Sequence, residues 1–147
     1  MEYDPLRIKN VLVPVDGSRA GFSALALALH LAKRNKGTVY AVYVIEVARN
    51  LALDAEMPSE ARSGEDVLTE AERVADEMDY KVSGELLQAR DQGHAIVDEA
   101  ADREVDAIVM GVGLELMLGE FQMGMAAQYV VRNAPCQVLL FRESVPA

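Results

Sequence analysis

Apolar runs of two kinds alternate along the chain. Residues 10–15 (NVLVPV) are short, apolar and rich in β-branched side chains, which predicts a buried strand ending at Asp16-Gly17-Ser18. Ser18 is a good helix N-cap. Phe22, Leu25, Leu29 and Ala32 then recur at helical spacing. Lys33, Arg34 and Lys36 suit the negative end of that helix, and Gly37 reads as its stop. Residues 38–45 (TVYAVYVI) are apolar on both faces, as expected of a parallel strand covered by helices above and below. Residues 46–64, with Pro58, Ser59, Ser63 and Gly64, read as a mobile connector in which Leu51, Leu53 and Met57 pack down in part. Ser63 with Asp66 resembles an acidic capping box, and Val67, Leu68, Ala71, Val74, Ala75 and Met78 form one stripe of a second helix. Residues 82–89 predict a third strand, 92–103 a short helix, and 106–111 a fourth strand running into glycine. Residues 111–123 predict a loop, 124–133 a fourth helix stopped by Pro135, and 137–141 (QVLLF) a fifth strand. Strands alternating with helices predict right-handed crossovers and an α/β fold, an open doubly wound parallel sheet with helices on both faces.

Composition narrows the function. At 147 residues the chain fits a single domain, 1–147, and 51% apolar residues suffice for a core. Its 14 basic and 24 acidic residues give a net charge of −10, whose field repels nucleic acid and anionic lipid. No nucleic-acid partner and no membrane insertion are expected, since no apolar run approaches the roughly 18 residues needed to span a bilayer. The N-terminal MEYDP carries no apolar signal region, and Cys136 is the lone cysteine, so a reducing cytoplasm is the expected location. His30 and His94 lack metal-ligand spacing, and no metal is expected.

In open α/β sheets ligands bind outside the carboxyl ends of the strands, where the strand order reverses. The first and fourth strands are the expected flanks, which nominates Asp16 and the loop 111–125. Val13-Pro14-Val15-Asp16-Gly17-Ser18, followed by an Ala/Leu helix, resembles the opening of the universal stress protein family. Residues 106–111 (DAIVMG) resemble its fourth strand, and residues 129–140 (YVVRNAPCQVLL) its closing helix and strand. The resemblance spans nearly the whole chain except the connector. It implies a five-stranded sheet of order 3-2-1-4-5, of the adenine nucleotide α-hydrolase-like kind, in a non-enzymatic stress-response module. Many members bind ATP. The resemblance places the adenosine end near Pro14, Val15, Asp16 and Val44, with the Asp16 carboxylate accepting from a ribose hydroxyl. It places the phosphates on a loop of pattern Gly-x2-Gly-x9-Gly-Ser/Thr, here Gly111, Gly113, Gly124, Met125 and Ala126, where backbone N–H groups at a helix start face the anion. It also implies a homodimer through the edge strand 137–141, which as an apolar edge needs covering.

This chain keeps that loop by halves. Gly111 fills the first glycine slot and Gly124 the third, but Leu114 stands at the second, with Gly113 one position early, and Met125 replaces the hydroxyl. Glu115 and Glu120 lie in the loop, which has no Lys or Arg. Each carboxylate near a triphosphate costs on the order of 1 kcal/mol at surface dielectrics. A lost hydroxyl contact to a charged group costs roughly 1.5–3 kcal/mol. The expectation is therefore weakened or lost ATP binding, with ATP and Mg disfavoured as cofactors and an adenosine-sized crevice retained. The alternative is an ATP binder using a modified phosphate loop.

Each residue also has a plainer reading. Asp16 before Gly17 suits simple turn chemistry, and Gly111 and Gly124 suit a turn and a helix start. Leu114, Leu116, Met117, Leu118, Phe121, Met123 and Met125 make the loop greasy, either to fill vacated phosphate space or to meet a protein partner. Cys136 reads as a packed, inert thiol, His30 as a partly buried packing residue, and His94 as exposed, neither histidine having an identifiable Ser or Asp partner. No Gly-x4-Gly-Lys-Ser/Thr phosphate loop, no histidine motif after the first strand and no acid cluster with a following lysine are present. No catalytic residue is expected.

Overall fold

The computed structural model describes residues 2–113, 115–117 and 120–144, with residues 115–117 and 120–122 taken by their backbone alone. The elements are β1 (Val11–Pro14), α1 (Arg19–Arg34), β2 (Val39–Glu46), α2 (Pro58–Glu77), β3 (Ser83–Ala89), α3 (Gln92–Asp102), β4 (Ala107–Val112), β5 (Glu115–Met117), β6 (Glu120–Gln122), α4 (Met125–Asn133) and β7 (Gln137–Arg142). Five of the strands form one parallel sheet in the order β3-β2-β1-β4-β7. The chain first winds outward from β1 to β3, then returns to build β4 and β7 on the other side. The order reverses between β1 and β4.

The period of two along β1 sorts its side chains onto two cores. Val11 and Val13 join α1 and α2 through Ala24, Leu25, Leu29, Ala71 and Ala75. Leu12 joins α3 and α4 on the opposite face, through Ile96, Ala100, Ala127 and Val130. Each fully buried aliphatic side chain of this kind contributes about 1.5–3 kcal/mol. The apolar runs of β1, β2 and β4 are thus explained by helices on both faces. Ser18 caps α1 as expected, its Oγ accepting from the Gly21 N–H at 3.1 Å, a bond that contributes about 1 kcal/mol.

Four expectations are corrected. The connector is shorter than 46–64. β2 continues through Glu46 and α2 begins at Pro58, so Ser63 lies inside the helix rather than capping it. Proline reads as a breaker in a polar stretch, yet its fixed φ and missing N–H suit a first helical position, which is where Pro58 sits. Residues 47–57 are also tied down: Gln88 Nε2 donates to the Leu53 and Ala55 carbonyls, and Arg90 Nη1 to that of Ala48. Leu51 and Leu53 do not pack down, being 44% and 48% exposed.

Residues 111–123 are not simply a loop. β4 runs through Val112, and β5 and β6 pair as an antiparallel hairpin. Leu114 and Leu118, and the side chains of Glu115, Leu116, Met117, Glu120 and Phe121, lie outside the described residues, as does the expectation that they fill a phosphate space. α1 stops ahead of Gly37 as expected, the Gly37 N–H donating to the Ala32 carbonyl at 2.8 Å. The left-handed turn itself is made by Lys36 at φ 55°, and Gly37 is needed for a further reason. His30 is exposed rather than partly buried, because the buried stripe of α1 runs through Ala24, Leu25, Ala28, Leu29 and Ala32 and leaves position 30 on the outer face.

Candidate functional site

The carboxyl ends of β1, β2 and β4 open into a cleft of about 80 Å³ at the point where the strand order reverses. β1 delivers Pro14, Val15 and Asp16 to one wall. Asp16 is exposed, and its Oδ1 accepts the Ser18 N–H at 2.9 Å. The turn needs Gly17 at φ 91°, a conformation that favours glycine. Asp16 therefore does perform turn chemistry, but with one oxygen. Among the described residues no donor reaches Oδ2, and the carboxylate borders the cleft.

β2 supplies Val42, Tyr43 and Val44. The Val15 N–H donates to the Val42 carbonyl at 2.9 Å, so the polar backbone of Val42 faces β1. By the two-residue alternation of a strand, the N–H and C=O of Val44 face the same way. β1 ends at Pro14, and among the described residues it offers Val44 no partner. A backbone donor and acceptor thus stand side by side at the cleft. β4 closes the far wall with Met110 and Gly111, and α3 contributes Gln92 and Ile96. The lining mixes apolar side chains (Val15, Val42, Val44, Ile96, Met110) with the polar groups of Asp16 and Gln92, as small-molecule sites commonly do.

Pro14, Val15, Asp16, Val44 and Gly111 accordingly come together. The other residues nominated from sequence do not line this cleft. Gly113 borders a separate groove with Ser18, Arg19 and Glu143. Gly124 is the N-cap of α4, with no side-chain cap, and Met125 beside it is 86% exposed. Ala126 is half-buried and packs on the second core. Among the described residues a Cβ added at Gly113 or Gly124 meets nothing within 4 Å.

Val42, Tyr43 and Ile96 line the cleft without having been nominated from sequence, and so do Gly21 and Gln92, which bear most on its chemistry. Gly21 sits where a Cβ would come within 3.2 Å of Ser18 Oγ and 3.3 Å of Asp16 Oδ1, close beneath the turn. Gln92 opens α3 at the carboxyl end of β3. The rule that ligands sit at strand ends covers that loop too, and this was the available signal.

His94 is exposed as expected but does have an acidic partner. The N-cap Asp91 accepts both its backbone N–H at 2.9 Å and its ring Nδ1 at 2.8 Å, and the ring stacks on Tyr129 at 4.0 Å. The bond from His94 holds the Asp91 carboxyl below its ordinary value. This group lines a groove between α3 and α4, apart from the cleft at the strand ends. Cys136 is half-buried, and burial pushes its thiol up, away from a reactive thiolate. Among the described residues no three His, Cys, Asp or Glu groups are placed to hold a metal, and no helix is long and apolar enough to cross a membrane.

The family model described as the universal stress protein family matches residues 7–142. The chain belongs to the universal stress protein family. A universal stress protein of Methanocaldococcus jannaschii is 31% identical over 141 residues, covering 92% of this chain and 82% of that one. The universal stress protein UspA of Lactobacillus plantarum superposes with a TM-score of 0.72 at 27% identity, over 92% of this chain and 99% of its own. A universal stress protein of Archaeoglobus fulgidus, solved in complex with dAMP, superposes with a TM-score of 0.74 at 20% identity, over 92% and 98%. The sheet order 3-2-1-4-5 that the resemblance implied is the order observed.

Proposed function

We propose that this universal stress protein is a regulatory module, not an enzyme. It takes the adenosine end of an adenine nucleotide in the cleft, holds the phosphates weakly, and acts through ligand or partner binding in a reducing cytoplasm. The observation that carries this reading is the division of the site. Asp16, Val44 and Gly111 share one cleft, whereas Met125 stands exposed at the helix start that a triphosphate would approach. The Asp16 Oδ2 left free by the turn suits a ribose hydroxyl, and the Val44 backbone suits the edge of a base. The dAMP bound to the Archaeoglobus relative supports a nucleotide of this size.

Calorimetric titration with adenosine, AMP and MgATP tests the proposal. AMP is expected to bind at least as tightly as MgATP. Asp16→Ala is expected to weaken AMP by tenfold or more, the loss of a hydrogen bond to a charged group being worth roughly 1.5–3 kcal/mol. Phosphate release from ATP that disappears in Asp16→Ala would overturn the non-enzymatic reading. A second reading, an ATP binder with a modified loop, draws on one observation: the start of α4 at Gly124 has no side-chain cap, and among the described residues nothing lies within 4 Å of where a Cβ would stand. MgATP binding tenfold tighter than AMP would favour it.

β7 forms one edge of the sheet, and Leu140 on it is 38% exposed. An apolar edge of this kind needs covering, and we assign it to a two-fold pairing of β7 with its copy. Light scattering at micromolar concentration is expected to give twice the subunit mass. A single-subunit mass would rule the pairing out.

A further inference from the structure

Gln92 is the first residue of α3, and its position is fixed from two sides. Asp91 caps the helix, and the Gln92 backbone N–H donates to Glu46 Oε1 at 3.2 Å. That second bond ties the start of α3 to the end of β2, two residues beyond Val44. Gln92 is half-buried in the cleft wall, among Val44, Val42, Ile96 and Met110. Among the described residues no protein group bonds its side-chain carboxamide. Its carboxamide, at the wall of the cleft and bound to no protein group, keeps a donor and an acceptor free for a ligand. Such a group suits a ligand that supplies both a donor and an acceptor.

We propose that Gln92 selects the base, reading the N6/N7 edge of adenine, and this rests on the adenosine reading of the cleft. A carboxamide offers one acceptor and one donor side by side, which matches the N6–H donor and N7 acceptor of adenine. The other N6–H and N1 point to the neighbouring edge, for which the Val44 backbone offers C=O and N–H. Guanine presents O6 and N7, two acceptors, so one half of the Gln92 amide would face it unpaired. The residue therefore favours adenine over guanine and depends on N7.

The test pairs a protein change with a ligand change. Wild type and Gln92→Leu are titrated with AMP, 7-deaza-AMP and GMP, and circular dichroism confirms that the variant is folded. In wild type, replacing N7 by C–H is expected to weaken binding about tenfold, and GMP to bind at least as poorly. In Gln92→Leu, AMP and 7-deaza-AMP are expected to bind alike. Equal binding of AMP and 7-deaza-AMP by wild type overturns the role of Gln92 while leaving the adenosine reading intact, and it requires no variant. An N7 penalty of the same size in Gln92→Leu overturns it too. No AMP binding by wild type overturns the adenosine reading itself, and the base-selection role with it.

Discussion

Gly37→Ala is expected to destabilise the protein by about 3 kcal/mol or more, beyond the usual range for one added methyl group. A Cβ at this position would lie 1.6 Å from the Lys9 carbonyl oxygen and 2.3 Å from its carbon, so one of the two backbones must move. Neither is free to do so. The Lys9 and Asn10 N–H groups both donate to Asp106 Oδ2, at 3.0 and 2.8 Å. On the other side the Gly37 N–H donates to the Ala32 carbonyl at 2.8 Å, the Tyr80 hydroxyl donates to the Gly37 carbonyl, and Val11 N–H bonds the Thr38 carbonyl. Moving the segment breaks bonds at the entry of β1 and β2, the two strands at the heart of the sheet. For a chain of this length about 3 kcal/mol corresponds to a fall in Tm of roughly 6–12 °C. Gly113→Ala, where among the described residues a Cβ meets nothing within 4 Å, is the control and is expected to stay within about 0.5 kcal/mol of wild type. Equal thermal midpoints for Gly37→Ala and Gly113→Ala would show that the Lys9 contact does not constrain the fold.

Gly37 also shows where reading the sequence stops. A glycine after a run of basic residues has the right place for a helix stop, but Lys36 supplies the left-handed turn and Gly37 supplies room for the Lys9 backbone, 28 residues earlier, on the approach to β1. Local pattern reveals local causes. The apolar runs of β1, β2 and β4 were legible because burial on both faces leaves no polar position in them. The alternation of strand and helix was legible for the same reason. The hairpin of β5 and β6 was not, since strands of three residues are too short for a period of two to stand out. The Asp91–His94 contact was available in the sequence as an N-cap spacing, but only once Asp91 is placed at the helix start. In the site, Pro14, Val15 and Asp16 follow from one strand end, and Val44 and Gly111 from the family motif. Gln92 depends on which strand ends lie side by side, and that is a property of the sheet order, not of any segment.

The second large effect is expected at Gly111, where fold and cleft meet. A Cβ there would stand 2.4 Å from both the carbonyl carbon and oxygen of Ala20 and 2.6 Å from the Gly21 nitrogen, all backbone atoms of the first turn of α1. β4 cannot retreat, because Gly111 and its neighbours are paired with β7, Gly111 opposite Phe141. Gly111→Ala therefore pushes α1 outward at its start, at a cost of about 2–4 kcal/mol. The same turn of α1 carries Ser18 and Gly21, against which Asp16 is held. Displacing it alters the wall of the cleft that Asp16 forms. Two measurements separate the effects. Urea unfolding is expected to show a lower midpoint with an unchanged slope, the mark of a stability change without a change in the surface exposed. AMP titration well below the unfolding transition, where the variant is folded, is expected to show weaker binding as well. A lowered midpoint with wild-type AMP affinity would mean that the close approach of α1 to β4 serves the fold alone. An unchanged midpoint would mean that the helix yields freely at Ala20, and that the glycine at position 111 answers to something other than the backbone beside it.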